Sequence, residues 1–363
     1  MKKILWPALV LFTVAALPLA VASTTTTRRG FMVSELTPEI INAVKNDWNC
    51  NIVRLQLIPF FWAQQKGIPH CEAWSWMMQG LPGGLDRARE AGIVVVIDLH
   101  NLPRPFPNFT DGREQLDYFW KDKRNLDLFI KCWQEIATIC KDRPEEIWFD
   151  LMNEPLNWMD MPSHPKAWPQ WAQAAIDSIR QIDTRHHIVI EPGPGGLCWG
   201  FKNFPLLEDP ADKLIYSAHQ YQPHKYTMQG IRDITGTDLS QAYLERGLHW
   251  PGTFDDSEGG WWEAKRLEEK EMAPVIEFQK KNNARIFIGE FSVARWAPDG
   301  AKYLEECITL FEKYGWDWTY HAFRENRIWS LEHENTHTSE PAKAKTPTDR
   351  AQVVKRFLDK NLK

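Results

Sequence analysis

The sequence has no CxxC pair, no basic run, no Pro/Ser-rich linker and no internal repeat. Each absence removes a class of protein. Without cysteines at ribbon spacing, a structural zinc ribbon is excluded. The six cysteines (Cys50, Cys71, Cys132, Cys140, Cys198 and Cys307) suit an oxidising compartment but make no disulfide framework in a chain of 363 residues. Cys132 and Cys140 fall on one expected helix about 12 Å apart along its axis, too far for a bond to each other. Buried or singly paired thiols are expected. A formal net charge of −5 with no Lys/Arg cluster argues against a nucleic acid partner and favours neutral or small substrates. The missing linker and repeat point to a single domain.

After the first residues, no apolar run reaches the roughly 20 residues that a membrane-spanning helix needs. At the start, Lys2 and Lys3 precede an apolar stretch from Ile4 to Val21, and Ala20-Val21-Ala22 supplies a small-x-small cleavage pattern. Pro7 and Pro18 interrupt the stretch, which favours a signal peptide over an anchor. Residues 1–22 are therefore expected to be a signal peptide and 23–363 one domain, secreted to the extracellular space or periplasm as a monomer. No contact with a membrane is expected once the signal is removed. Tryptophan is plentiful, at nineteen. Some must be core, and a surplus would suit stacking on the apolar faces of sugar rings.

From Arg29 onward, short β-branched runs alternate with helical periodicity. Strands are expected at Gly30–Ser34, Asn51–Ile58, Ile93–His100, Ile147–Asn153, Ile188–Glu191, Lys213–Tyr221, Arg285–Phe291 and Trp316–Phe323. Helices are expected at Pro38–Asp47, Arg124–Lys141, Trp168–Ile182, Trp262–Lys281, Ala301–Tyr314 and Thr348–Leu362. Continuous apolar strands such as IVVVIDL read as buried on both faces, hence parallel. Eight strands, each followed by a helix, predict an α/β fold with a single closed (β/α)8 barrel. Long insertions after strand two (Phe60–Leu81) and strand six (Gln222–Gly260) would partly wall the active face.

In such a barrel the carboxyl ends of strands point into the site. Read in order they offer Arg54, His100, Asn153 with Glu154, His219 with Tyr221, and Glu290. Glu154 ends strand four and Glu290 strand seven, so the two face each other across the mouth. Cleaving a glycosidic bond needs one carboxyl group to protonate the leaving oxygen and another to attack or stabilise the sugar carbon. At a separation of about 5–5.5 Å the second is a nucleophile and configuration is retained. Either glutamate alone reads equally well as a salt-bridged or capping carboxylate; together, with Asn153 and Tyr221 beside them, they read as a catalytic pair.

The run Ile147-Trp148-Phe149-Asp150-Leu151-Met152-Asn153-Glu154-Pro155-Leu156 resembles the signature of glycoside hydrolase family 5, the cellulase A family. Further family positions follow in order along the chain. The resemblance implies that Arg54, His100, Asn153, Glu154, His219, Tyr221 and Glu290 form the active-site set. Glu290 must stay ionised to attack, held so by Arg54 and Tyr221. Glu154 must carry a proton, then act as base toward water once the glycosyl-enzyme forms. Asn153 would bind the sugar 2-hydroxyl, and His100 and His219 would position the sugar and Glu154. Many members end strand eight with a Trp that stacks on the sugar. Here His321 or Phe323 stands near that place, and Trp329 from the following loop is the candidate replacement. Trp296 and Trp158 are further candidate platforms.

A metal-dependent hydrolase would need grouped ligands such as an HxH pair on strand one, which Gly30-Phe31-Met32-Val33 lacks. No metal or cofactor is expected. The substrate is expected to be a β-linked polysaccharide or oligosaccharide, with endo-β-1,4-glucanase first, β-mannanase or exo-β-1,3-glucanase next, and a non-catalytic sugar-binding barrel as the rival class.

Overall fold

The computed structural model describes residues 27–105, 112–231, 247–254 and 259–362. The expected signal peptide and part of the connection after strand six lie outside the described residues. In chain order the strands are β1 (Arg29–Val33), β2 (Ile52–Leu57), β3 (Val94–Leu99), β4 (Ile147–Asp150), β5 (His187–Ile190), β6 (Leu214–Gln220), β7 (Gly252–Phe254), β8 (Gly260–Trp262), β9 (Arg285–Phe291) and β10 (Asp317–Tyr320). All but β7 and β8 pair in parallel and close into a barrel of eight. The fold is the expected (β/α)8 barrel.

Alternation along the strands divides the core in two. Ile52, Val94, Val96, Trp148, Val189, Ile215 and Phe287 pack together as one buried cluster inside the barrel. The neighbouring Val53, Leu55, Val95, Ile97, Phe149 and Ile188 belong to the larger cluster between sheet and helices. One step further along the inward-facing positions the chemistry reverses: Arg54, Asp98, Asp150, Glu191 and Glu290 are all buried. An apolar plug thus fills the lower barrel, and a layer of charge sits on top of it.

Two expectations are corrected. The expected helix Trp262–Lys281 begins with a strand: Gly260–Trp262 pairs antiparallel with Gly252–Phe254, and helical backbone starts at Ala264, passes through a π-helical turn at Leu267–Glu271 and continues as the helix Ala273–Asn282. The expected insertion Phe60–Leu81 is not a loop but a short helix, Pro59–Lys66, followed by the long helix His70–Glu90. Most of the tryptophan surplus is also core. Trp133, Trp148, Trp168, Trp250, Trp316 and Trp318 are fully buried. Their indole N–H groups are satisfied internally, for example Trp133 by Leu151 O at 3.0 Å and Trp250 by Glu306 at 2.8 Å. All six cysteines are free thiols, five of them buried. No described helix is long and apolar enough to cross a membrane.

Candidate active site

Arg54, wholly buried on β2, organises the charged layer. Its Nη1 donates to Glu290 Oε1 at 2.7 Å and its Nε to Asp150 Oδ2 at 2.8 Å. Nη2 reaches Glu191 Oε1 at 3.0 Å, Asn153 Oδ1 at 3.1 Å and Asp98 Oδ1 at 3.2 Å. A planar fork with five donors is the side chain that can serve so many acceptors at once. Burial pushes the Asp150 carboxyl well above its usual range, against the pull of the Arg54 guanidinium.

Glu290 is reached through a local irregularity. The β6–β9 register slips between Ala218 and His219, so that His219 pairs with Glu290. Gly289 makes room for this: a Cβ there would lie 2.9 Å from Ser217 Oγ and 3.0 Å from His219 Nε2. Tyr221 donates to Glu290 Oε2 at 2.8 Å. Burial opposes ionisation of Glu290, but the charges of His219, His321, Arg54 and His100 outweigh it and hold the carboxyl well below its ordinary value. These contacts favour the ionised form of Glu290 and fix its orientation.

Glu154 lies four residues beyond the end of β4 with φ +47°, a left-handed conformation unusual for a residue with a side chain. Its backbone N–H donates to Glu191 Oε2 at 2.8 Å, and its Oε1 meets His219 Nδ1 at 2.8 Å. Its side chain is 39% exposed, against 7% for Glu290, so one carboxyl faces the open mouth and the other the interior. One carboxylate oxygen of each glutamate and a ring nitrogen of His219 all lie within 4.8 Å of one another. The rest of the charged face is protein-paired: His100 Nδ1 meets Asp98 Oδ2 at 2.7 Å, and its Nε2 lies 3.4 Å from Asn153 Nδ2. Burial disfavours the charged forms of His100 and His219. The carboxylates around each (Asp98 for His100, Glu191 and Glu290 for His219) outweigh burial and raise both pKa values. A small cavity of about 140 Å³ beside Glu154 is lined by His100, Asn153, Leu102, Phe119 and Trp120. A larger recess of about 690 Å³ near Trp48 and Lys355 contains none of these residues.

The sequence profile of Cellulase (glycosyl hydrolase family 5) matches residues 20–327. The chain belongs to glycosyl hydrolase family 5. It is a glycoside hydrolase. Among its relatives, Endoglucanase C of Acetivibrio thermocellus is 24% identical over 256 residues, 65% of this chain and 70% of the relative. Endoglucanase 3 of Fibrobacter succinogenes is 32% identical over 138 residues, 37% of this chain and 19% of that one. Thermotoga maritima Cel5A in complex with cellobiose superposes with a TM-score of 0.66 at 21% identity, covering 90% of this chain and 97% of its own. Clostridial cellulose synthase subunit Z of Clostridioides difficile gives 0.66 at 19% identity, covering 91% and 99%.

Within this family 5 barrel the seven strand-end residues named from the sequence are brought into one network. The aromatic expectations divide. Trp329 is buried, with its ring 6.2 Å from Tyr221 and 5.9 Å from His321, so it backs the site rather than lying open in it. Phe323 turns outward to pack on Phe31 and Trp48, which leaves His321 at the site. Trp296 is half-buried: its Nε1 donates to Gln229 O at 2.6 Å, and its ring packs on His337 and Arg295. Trp158 is 47% exposed on the loop after β4. Asp98, Asp150 and Glu191 were missed by the strand-end reading. Each is a carboxylate interrupting or ending an apolar strand, and that is the signal that could have revealed them.

Proposed function

We propose that the protein is a secreted, retaining endo-β-1,4-glucanase, with Glu154 as acid/base and Glu290 as nucleophile. The observation that carries the mechanism is the closeness of the two carboxylates, with oxygens within 4.8 Å. Retaining pairs stand about 5–5.5 Å apart, whereas inverting pairs need about 6.5–9.5 Å to admit a water. The division of labour follows from environment. Glu290 is buried against Arg54 and Tyr221 and stays ionised, so it attacks the sugar carbon. Glu154, more exposed and held by His219, protonates the departing oxygen and then deprotonates the incoming water. Asn153, fixed between Arg54 and His100, presents its amide for the sugar's 2-hydroxyl.

The glucan assignment rests on the endoglucanases among the relatives. β-Mannan is the second reading, because Thermotoga maritima Cel5A has also been solved in complex with mannotriose. Secretion rests on the basic, apolar and small-residue pattern of residues 1–22. A panel of soluble cellulose derivative, mannan, laminarin and xyloglucan, with product sizes followed over time, tests the specificity. Fastest turnover of the cellulose derivative with a spread of oligosaccharides is expected. Release of a single short product from chain ends, or preference for laminarin, would overturn it.

A further inference from the structure

Glu191 follows directly on β5, is fully buried, and touches both halves of the proposed catalytic machinery without reaching the mouth. We propose that it is a positioning residue for the acid/base, acting through Glu154 and His219. Two routes converge on Glu154. Along the backbone, Glu191 Oε2 accepts the Glu154 N–H at 2.8 Å, at the residue whose φ is +47°. Along the side chains, Glu191 Oε1 lies 3.1 Å from His219 Nε2, and the opposite ring nitrogen meets Glu154 Oε1 at 2.8 Å. A carboxylate on one side of an imidazole fixes which nitrogen carries a proton and how the ring points.

The chemistry calls for a carboxylate and nothing else of that shape. Two of its neighbours donate to it, Arg54 Nη2 at 3.0 Å and the Glu154 N–H at 2.8 Å, and His219 Nε2 lies 3.1 Å away. Two acceptor oxygens can serve all three; an amide would have to turn its NH2 toward one of them. The surrounding fold fixes the arrangement. The Glu191 carbonyl accepts from Trp168 Nε1 at 2.8 Å. A Cβ at Gly196 would lie 2.8 Å from His219 Cγ, so the ring is cradled from the other side. Glu191 therefore holds the acid/base by its peptide and by its carboxylate at once.

This inference rests on Glu154 being the acid/base, and the test separates the two. In the purified full-length enzyme, kcat/KM reports only the glycosylation step, in which the acid matters in proportion to how poor the leaving group is. Phenyl and 2,4-dinitrophenyl β-cellobiosides are compared, with the matching β-mannobiosides in parallel. Glu154→Ala should lose activity far more on the phenyl glycoside; equal losses would refute the acid/base assignment itself. Glu191→Gln is expected to follow the same pattern, with kcat/KM down about 100-fold on the phenyl glycoside and within about threefold on the dinitrophenyl one. Equal losses on both, with Glu154→Ala selective, would instead mean that Glu191 acts through Arg54 and the nucleophile. A lowered melting temperature with unchanged kcat/KM would make it merely structural. Glu191→Asp, which keeps the charge but withdraws it, provides the same comparison should the Gln variant not fold.

Discussion

The charged layer at the top of the barrel is coherent only when each side chain is taken with its partners. Arg54 is wholly buried, and a buried cation survives there because five oxygen acceptors surround it. Glu290 receives two of the strongest contacts, from the guanidinium and from the Tyr221 hydroxyl. Its replacement by Ala is expected to lower turnover of an aryl β-glycoside at least about a thousandfold, with azide restoring part of it as the inverted glycosyl azide. Retention of more than about a thousandth of wild-type turnover would rule Glu290 out as nucleophile. His100 makes a prediction about stability. Its pKa is raised in the fold, burial being outweighed by Asp98, so its contribution is fully present below the unfolded value of about 6.5. That contribution is lost as pH rises through the folded value. The gap in melting temperature between wild type and His100→Asn should therefore shrink from about pH 5.5 to about pH 9.5. A constant gap would contradict this.

At the scale of elements, the strands were legible because buried parallel strands are continuous apolar runs bounded by turns, as IVVVIDL shows. The candidate site was legible because its residues occupy strand ends, where the fold itself aims side chains at the mouth. Asp98, Asp150 and Glu191 were less so, because their importance depends on which inward layer each one occupies, a property of register that no local pattern fixes. The same holds for strand eight: only the pairing of β10 decides that His321 stays at the site while Phe323 joins the core. The hairpin of β7 and β8 was obscured because Trp262 lies directly before a helical pattern. The slip between β6 and β9 predicts a cost of its own. Gly289→Ala should displace His219 and Glu290 together, cutting kcat by about 10- to 100-fold and lowering the melting temperature. A variant with native kcat would show that the close approach at Gly289 is unimportant.

For the whole molecule, the barrel divides stability and function between its layers. The apolar plug and the helix-facing core carry the fold, which leaves the upper layer free to concentrate charge. Composition misled in one respect. The tryptophans that suggested a sugar-binding surface are mostly buried in the core. The proposed double displacement needs no bound cation: Glu290 is already paired with a guanidinium, and Glu154 with His219. Turnover should therefore be unchanged after dialysis against a chelator, and a loss restored by a divalent ion would contradict this reading. The central claim is that Glu154 and Glu290 act by double displacement, and the anomeric configuration of the first-formed product tests it most directly. Proton NMR taken in the first minutes of hydrolysis, before mutarotation, should show the β anomer. An α anomer appearing first would contradict the mechanism.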